Sequence, residues 1–284
     1  MGNAADPIED VEDFLKYLKK QECSMNTIRA YGCAVRGFFE QYKEVRIEYL
    51  EAYRKFLLEH YKVSSANLKI SALNRFLCYL NENERLRDGQ KEYRLETAVI
   101  QRCSYADRII SQEDYKILTE GLKKDRLKMW YFLVRFLAGT GARVSEVIQI
   151  RVEHLKRGYM DLYSKGGKIR RVYFPEQLVQ ETNRWVEERK IQSGFLFVNR
   201  QGRQITPRGV RDRLKCFAVR YGIDPNTVYP HSFRHRFAKN FLEKTKDIAL
   251  LADLLGHESV ETTRLYLRKS SAEQRKIIDE IITW

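Results

Sequence analysis

The sequence has few of the features that mark secreted, metal-binding or membrane-spanning chains. Its cysteines are scattered, odd in number and without a CxxC pair; they are Cys23, Cys33, Cys78, Cys103 and Cys216. This pattern excludes a disulfide framework and predicts reduced thiols with no metal site. No apolar run approaches the roughly 18 residues that a membrane span needs. The N-terminus is acidic and lacks an apolar stretch, so we expect no signal peptide, no membrane partner and a cytoplasmic location.

Internal repeats and low-complexity tracts are also missing, and the 43% hydrophobic content is enough for ordinary packed cores. Positive charge is in excess, with a formal net charge of +14. Residues 1–100 contain 16 basic and 16 acidic side chains, so the whole excess lies after residue 100. Such an excess favours a polyanionic partner, because each Lys or Arg that contacts a phosphate releases condensed counterions. Charge alone would equally fit a protein that is basic for solubility.

Hydrophobic periodicity divides the chain into two predicted domains. Apolar residues at helical spacing predict a small N-terminal domain of about four helices at 7–85. The polar stretch 86–108, which contains Gly89, predicts an interdomain linker. Periodicity resumes at Ser111, where the sequence is typical of a helix capping box, and continues through a C-terminal domain at 109–284. We therefore expect a mainly α protein with a small β-sheet in a mixed second domain.

The predicted sheet is a β-hairpin. Strand-like runs at 159–163 and 170–174 flank a turn that contains Gly166 and Gly167, a typical hairpin signal. A further short strand is predicted at 195–198. Pro207 after Thr206 is typical of a helix start.

Side chains able to carry out chemistry are concentrated in the second domain. In chain order they are Arg143, Glu146, Lys165, Lys168, His231, Arg234, His257 and Tyr266. Arg143 begins a predicted helix after a glycine break, and His231 and Arg234 share one face of another helix. His257 follows the helix-ending Gly256, and Tyr266 comes nine positions later.

These residue types suit phosphodiester chemistry without a metal. Two guanidinium groups, from Arg143 and Arg234, can bind the nonbridging oxygens on which negative charge concentrates in the transition state. A phenol has an ordinary pKa of about 10, and nearby cations favour the phenolate of Tyr266 as nucleophile. A lysine on the hairpin can protonate the leaving oxygen, and Lys165 and Lys168 are both candidates.

Taken singly, each of these residues also fits an ordinary structural role. Tyr266 alone fits a core or surface position, and His257 alone fits a helix-ending cap. Lys165 and Lys168 fit solvated turn residues, and His235 is interpreted as structural because core aromatics neighbour it on the helix. The functional interpretation depends on all the motifs occurring together, in this order, in the domain with the charge excess.

At these residues the chain resembles a known family. The segments GARVSEV, SKGGKIR, HSFRHRFA, LLGHES and TTRLY resemble the motifs of the tyrosine recombinases, the family of phage integrases and Xer recombinases. The segments 24–31 and 71–76 resemble that family's helical, SAM-like core-binding domain, so the resemblance covers nearly the whole chain and predicts the two-domain, Xer-like organisation. Ala142 and Phe233 stand where leucine is common, and we expect these exchanges to affect packing only.

The resemblance implies a role for each site residue. Arg143 is then the first catalytic arginine, Lys165 the hairpin lysine, His231 and Arg234 the HxxR pair, His257 the second histidine, Tyr266 the nucleophile and Glu146 a support for Arg143. The implied function is site-specific DNA recombination through a 3′-phosphotyrosine and a Holliday junction, in integration, excision, inversion or resolution. No cofactor is implied. The implied partners are a double-stranded DNA recombination site and a homotetramer on two DNA sites, with room for accessory DNA-bending proteins.

Two other functions stay open at this point. A type IB topoisomerase relaxes DNA with a similar set of residues, but the HxxR and LGH motifs favour the recombinase. A DNA-binding regulator descended from the family is the second alternative, and the intact Tyr266 argues against it.

The last residues of the chain predict a short helix. Ser270 and Glu273 fit a capping box, and an apolar stripe follows at Ile277, Ile278, Ile281 and Ile282. So short a helix is unstable alone in water, so its apolar face must pack on something. The resemblance favours a neighbouring protomer, and packing on its own domain is the alternative.

Overall fold

Helices form most of the secondary structure in a computed structural model that describes residues 7–86, 93–99, 109–163, 169–257, 263, 275 and 278–281. The chain divides into two units, Met1–Arg102 and Cys103–Trp284. No helix of the described ranges has both the length and the apolar character that a membrane crossing requires. Within the same ranges, no three His, Cys, Asp or Glu side chains form a group that could hold a metal ion.

The first unit contains the four predicted helices. They are α1 (Pro7–Lys20), α2 (Met25–Gln41), α3 (Ile47–His60) and α4 (Val63–Glu82). The hydroxyl of Ser24 begins α2 by accepting a hydrogen bond from the Thr27 amide at 3.1 Å. Phe14, Phe38 and Phe76 are fully buried between the helices. The aromatic periodicity of the sequence therefore becomes the core of this unit.

Part of the polar stretch after α4 packs back onto that helix. The side-chain amide of Asn74 exchanges two hydrogen bonds of 2.9 Å with the backbone of Leu95. Asn67, seven residues earlier on α4, exchanges bonds of 2.8 and 2.9 Å with Ala98 in the same way. Spacing by seven places both amides on one face of α4. Residues 93–99, within the predicted linker, are thus attached to the first unit, and the domain boundaries themselves stay a prediction.

The second unit alternates helices with one β-hairpin. Its elements are α5 (Gln112–Lys124), α6 (Lys128–Thr140), α7 (Val144–Val147), α8 (Val152–Arg157), β1 (Tyr159–Tyr163), β2 (Ile169–Tyr173), α9 (Glu176–Glu188), α10 (Pro207–Arg220), α11 (Pro230–Thr245) and α12 (Ile248–Leu255). The expected mainly α fold with a small sheet is confirmed. The antiparallel pairing of β1 and β2 confirms the hairpin, although β2 begins one residue earlier than predicted. The turn that contains Lys165 and Lys168 lies outside the described residues.

The strand predicted at 195–198 was wrong. Phe195 and Val198 form only isolated bridges, with Arg151 and Gln204 respectively. Their partners are single residues of irregular segments, so no ladder can extend. The apolar run is explained by burial, because Leu196 and Phe197 lie in the core of the unit.

The core of the second unit places α11 beside the end of α6. Phe136 of α6 and Phe233 of α11 are fully buried in it. Gly141 ends α6 in the left-handed conformation, with φ of 62°. A Cβ atom at Gly141 would lie 2.4 Å from the ring of Phe237 on α11, so only glycine allows this close approach. The chain then turns directly into α7, which begins after Arg143.

Candidate active site

Arg234 occupies the centre of the candidate site. It lies on the buried face of α11 and is only 1% exposed, so its charge needs strong hydrogen-bond partners. Nη1 donates to the Gly141 carbonyl at 2.8 Å, and Nη2 donates to the Leu255 carbonyl at 2.8 Å. The guanidinium thus joins the end of α6, where Arg143 follows, to the end of α12, where His257 follows.

His257 lies against this guanidinium. Its Nε2 is 2.9 Å from Nη2 of Arg234, and its Nδ1 is 2.8 Å from Oγ1 of Thr263. Arginine has no acceptor, so Nε2 accepts the hydrogen bond, and in the neutral ring Nδ1 carries the proton and donates to Thr263. Burial, followed by the charge of Arg234, lowers the pKa of His257 to about 4. The ring is therefore neutral at pH 7.

Glu146 holds Arg143 at the start of α7. Oε2 of the carboxylate accepts from the Arg143 backbone amide at 2.6 Å, and Oε1 accepts from its Nη1 at 3.0 Å. Nη2 of Arg170, on β2, donates to Oε2 at 2.7 Å. The side chain of Arg143 is 47% exposed, whereas those of Glu146 and Arg170 are 13% and 14% exposed. The Arg143 guanidinium thus lies at the surface in a fixed orientation, because the nearly buried ion pair between Glu146 and Arg170 holds it there.

His231 and His235 lie one turn apart on α11, and their rings meet edge to face at a centroid distance of 4.6 Å. Burial, then His231 and Arg234, lowers the pKa of His235 to about 4. The pKa of His231 is lowered as well, although the residue is exposed. The main cause is desolvation of the charged ring by nearby protein atoms, followed by the charges of Arg234 and Arg143. Both rings therefore favour the neutral form, and His231 lies within the electrostatic reach of both predicted catalytic arginines.

The structure brings most of the predicted residues into one region. Glu146 contacts Arg143, Arg234 contacts His257, and both arginines act on the pKa of His231. The predicted hairpin lysines and Tyr266 lie outside the described residues. Their placement therefore stays a prediction, as do the catalytic roles assigned to the whole set.

Two polar residues of this region were not predicted from the sequence. Arg170 contacts Glu146, and the fully buried Thr263 contacts His257. A signal for Arg170 was available, because it is two positions before the buried Val172 and therefore shares the inward face of β2. A charged residue at an inward position needs a partner. No comparable signal marked Thr263, because nothing in the sequence distinguishes it from the adjacent Thr262.

The electrostatics of the region suit an anion. Arg143 and Arg170 both donate to the carboxylate of Glu146, and the buried Arg234 donates to the Leu255 carbonyl that Arg170 also contacts. The neighbouring histidines favour the neutral form. Guanidinium groups bind phosphate through forked hydrogen bonds, and they do so more strongly where water is partly excluded. The arrangement can hold a phosphate group and stabilise the extra charge that develops on it during displacement.

Comparisons with known proteins show the family to which the chain is similar. The profile of the phage integrase family matches residues 108–273. The chain is 31% identical over 290 residues to the tyrosine recombinase XerA of Pyrococcus furiosus, with 96% of each protein covered. It is similar to the solved structure of the Tn1549 transposon integrase in complex with transposon right end DNA, with a TM-score of 0.72 and 16% identity over 96% of this chain and 99% of that one.

A λ integrase tetramer bound to a Holliday junction gives a TM-score of 0.74 with 14% identity, over 95% of this chain and 80% of that one. At such identities, the two structural likenesses show the fold alone. The fold and the sequence matches together define the class, a tyrosine-type recombinase. The chain belongs to the phage integrase family. Its similarity to XerA agrees with the Xer-like motifs in its sequence.

Proposed function

We propose that this protein is a site-specific recombinase that cuts and rejoins double-stranded DNA through a 3′-phosphotyrosine at Tyr266. The observation that carries the proposal is the half-exposed guanidinium of Arg143, which Glu146 holds in place beside the buried Arg234 and His257. A positive group that is both oriented and accessible can bind a DNA phosphate without first reorganising.

The two arginines, the tyrosine and the hairpin lysines then have defined tasks. Arg143 and Arg234 stabilise the negative charge on the nonbridging oxygens of the scissile phosphate. Arg234 also fixes the two chain segments on which Arg143 and His257 lie. Tyr266 attacks phosphorus as its phenolate, which the nearby cations favour, and displaces the 5′ oxygen, which takes a proton from Lys165 or Lys168. The phosphotyrosine retains the energy of the broken bond, so the free 5′ hydroxyl of a second strand can reverse the reaction without an added energy source.

In the proposed assembly, a homotetramer binds two DNA sites and exchanges strands in two steps through a Holliday junction. The N-terminal helical domain at 7–85 contacts the core of each site, and the domain at 109–284 carries the chemistry. Two observations support this assembly. The chain belongs to a recombinase family, and two of its structural neighbours are complexes with DNA. Accessory DNA-bending proteins and a cytoplasmic location complete the proposal.

The test begins by finding the DNA site. Purified protein is mixed with fragmented DNA of its source cell, the reaction is stopped with denaturant, and DNA that remains attached to protein is sequenced. A duplex with the recovered site and a nick beside the cleavage position then traps the covalent complex. We expect wild type to form the adduct and Tyr266→Phe to bind equally well without forming it. An adduct of normal yield with Tyr266→Phe would remove Tyr266 from the mechanism.

The recovered site, placed in a supercoiled plasmid, separates the other functions. A recombinase exchanges strands between two copies of the site, a topoisomerase relaxes supercoils without such exchange, and a regulator forms no adduct. A 5′-phosphorothiolate leaving group needs no proton, so it should restore cleavage by Lys165→Ala if Lys165 is the acid. Restoration of Lys168→Ala instead would assign the proton to Lys168.

A further inference from the structure

Arg170 is a largely buried arginine that joins three elements of the candidate site. It lies on β2 two residues before Val172, so its side chain points inward with that core residue. Nη2 donates to Glu146 at 2.7 Å, and Nη1 donates to the Leu255 carbonyl at the end of α12. A planar guanidinium is able to hold two acceptors at fixed positions.

The first contact bears on Arg143. One oxygen of Glu146, Oε2, accepts from both Arg170 and the Arg143 amide, and the other, Oε1, is thereby turned toward Nη1 of Arg143. Without Arg170 the carboxylate would be held by Arg143 alone, and the half-exposed Arg143 side chain would sample more rotamers. The ion pair between Arg170 and Glu146 therefore fixes the direction of the surface guanidinium.

The second contact bears on His257. The Leu255 carbonyl accepts from Arg170 and also from Arg234, two residues before His257. Arg170 reaches this carbonyl by passing beside Gly256, where a Cβ atom would lie 2.3 Å from Cδ of Arg170. Gly256 also has φ of 62°, a conformation that other residues adopt at a cost. A glycine at this position is thus required both by the helix end and by the arginine next to it.

We propose that Arg170 is a positioning residue for DNA cleavage, which acts through Glu146 on Arg143 and through the Leu255 carbonyl on the segment that carries His257. This inference rests on the proposed function. Arg170 is not assigned a contact with DNA, because its side chain is only 14% exposed and directed at protein acceptors. It also links the hairpin strand β2, which follows Lys165 and Lys168 in the chain, to the segments that carry Arg143 and His257.

The experiment compares Arg170→Ala, Arg170→Lys and a matched control, Arg171→Ala. Arg171 is the next residue on β2, but it faces outward, pairs with Asp161 at 2.8 Å and covers the Tyr159 ring. Single-turnover cleavage of the nicked substrate is measured over a range of protein concentrations, which separates the rate at saturation from the half-saturating concentration. Thermal unfolding of each variant is recorded in parallel.

We expect Arg170→Ala to lower the cleavage rate at saturation by roughly 10- to 100-fold, because small displacements of a catalytic group have effects of this size. The half-saturating concentration should stay within about threefold of wild type, and Arg171→Ala should match wild type in both. Arg170→Lys should recover little, since an ammonium keeps the charge but cannot bridge two acceptors as a planar fork does. If Arg170→Ala does not fold, Arg170→Lys carries the same comparison.

A double variant tests the route of the effect. If Arg170 acts through Glu146, then Glu146→Gln combined with Arg170→Lys should be no slower than the slower single variant. Fully multiplicative losses would overturn the route through Glu146. A normal rate at saturation for both Arg170 variants, or a loss confined to DNA binding, would overturn the positioning role itself. An inactive wild type would contradict the proposed function instead, so the two failures are distinguishable.

Discussion

Nη2 of Arg234 donates to Nε2 of His257 over 2.9 Å, and this contact determines which nitrogen of the histidine carries the proton. Because arginine can only donate, the lone pair of Nε2 faces the guanidinium and the proton of the neutral ring is on Nδ1. That proton is directed at Oγ1 of Thr263, three residues before Tyr266. The buried arginine, the histidine and the segment that leads to the predicted nucleophile are therefore joined by one chain of hydrogen bonds.

The first prediction concerns Thr263. Thr263→Val keeps the shape of the side chain but removes the acceptor for Nδ1 of His257. We expect the free energy of unfolding to fall by about 1–3 kcal/mol, the usual cost of leaving a buried donor without a partner. Thr263→Ser retains the hydroxyl and should lose much less. Urea unfolding measures both variants, and ring ¹⁵N shifts report the tautomer. An unchanged Nδ1–H form and unchanged stability in Thr263→Val would contradict the assigned hydrogen bond.

A second prediction follows from the lowered histidine pKa values. His235 and His257 have a pKa of about 4 in the folded protein, below the ordinary value of 6.5. Between these values the unfolded chain binds more protons than the folded one, so stability is complete above pH 6.5 and is lost as pH falls toward 4. Each histidine should lower the free energy of unfolding by about 1 kcal/mol when the pH falls from 7.5 to 5.5.

Urea unfolding at the two pH values checks this loss. The variant His235→Gln removes one titrating group and should reduce the loss between pH 7.5 and 5.5 by about 1 kcal/mol. His231 and His154, whose pKa values are also lowered, contribute to the part that remains. A substituted chain that keeps the full dependence would show that other groups cause it.

The third prediction separates the two catalytic arginines by burial. Arg143 is half-exposed, so Arg143→Ala should fold like wild type and lose cleavage by about 100- to 1,000-fold. Arg234 is buried and donates to the carbonyls of Gly141 and Leu255, so Arg234→Ala should also lose more than about 2 kcal/mol of stability. Thermal unfolding and saturated single-turnover cleavage, measured on the same preparations, distinguish the two. Equal melting temperatures for both variants would show that Arg234 is not the structural link described above.

Local signals in the sequence predicted the local structure of the site. Ser111 caps α5 as expected, and Gly256 ends α12. Contacts between distant segments had no such signal: Arg170 and Leu255 are 85 positions apart, and their bond depends on how β2 packs beside α12. Motif matching indicated that Arg234 is functional but not that it is buried. The failed strand at 195–198 has the related cause that apolar content predicts burial more reliably than pairing.

The final prediction concerns the end of the chain. Most of the predicted C-terminal helix, including Ser270 and Glu273, lies outside the described residues, but 278–281 is helical. Ile278 and Ile281, three positions apart and thus on one face, are 59% and 65% exposed. Two large aliphatic side chains on one helical face cost solvation free energy until they are covered, and the tetramer of the proposed function offers a neighbouring protomer as the cover.

Replacing both isoleucines with aspartate should leave binding to a single DNA site unchanged, because neither side chain belongs to the positive region around Arg143. The same variant should lose cooperative assembly on a two-site DNA together with recombination, since charged residues cannot be buried in an apolar contact. Gel-shift titrations on one-site and two-site duplexes, run beside a recombination assay, measure these properties. Asp279→Asn, between the two isoleucines, serves as the matched control and should behave like wild type. Normal cooperativity in the double aspartate variant would mean that these isoleucines do not contact a neighbour, and the helix would then have to be covered by its own chain or remain in solvent.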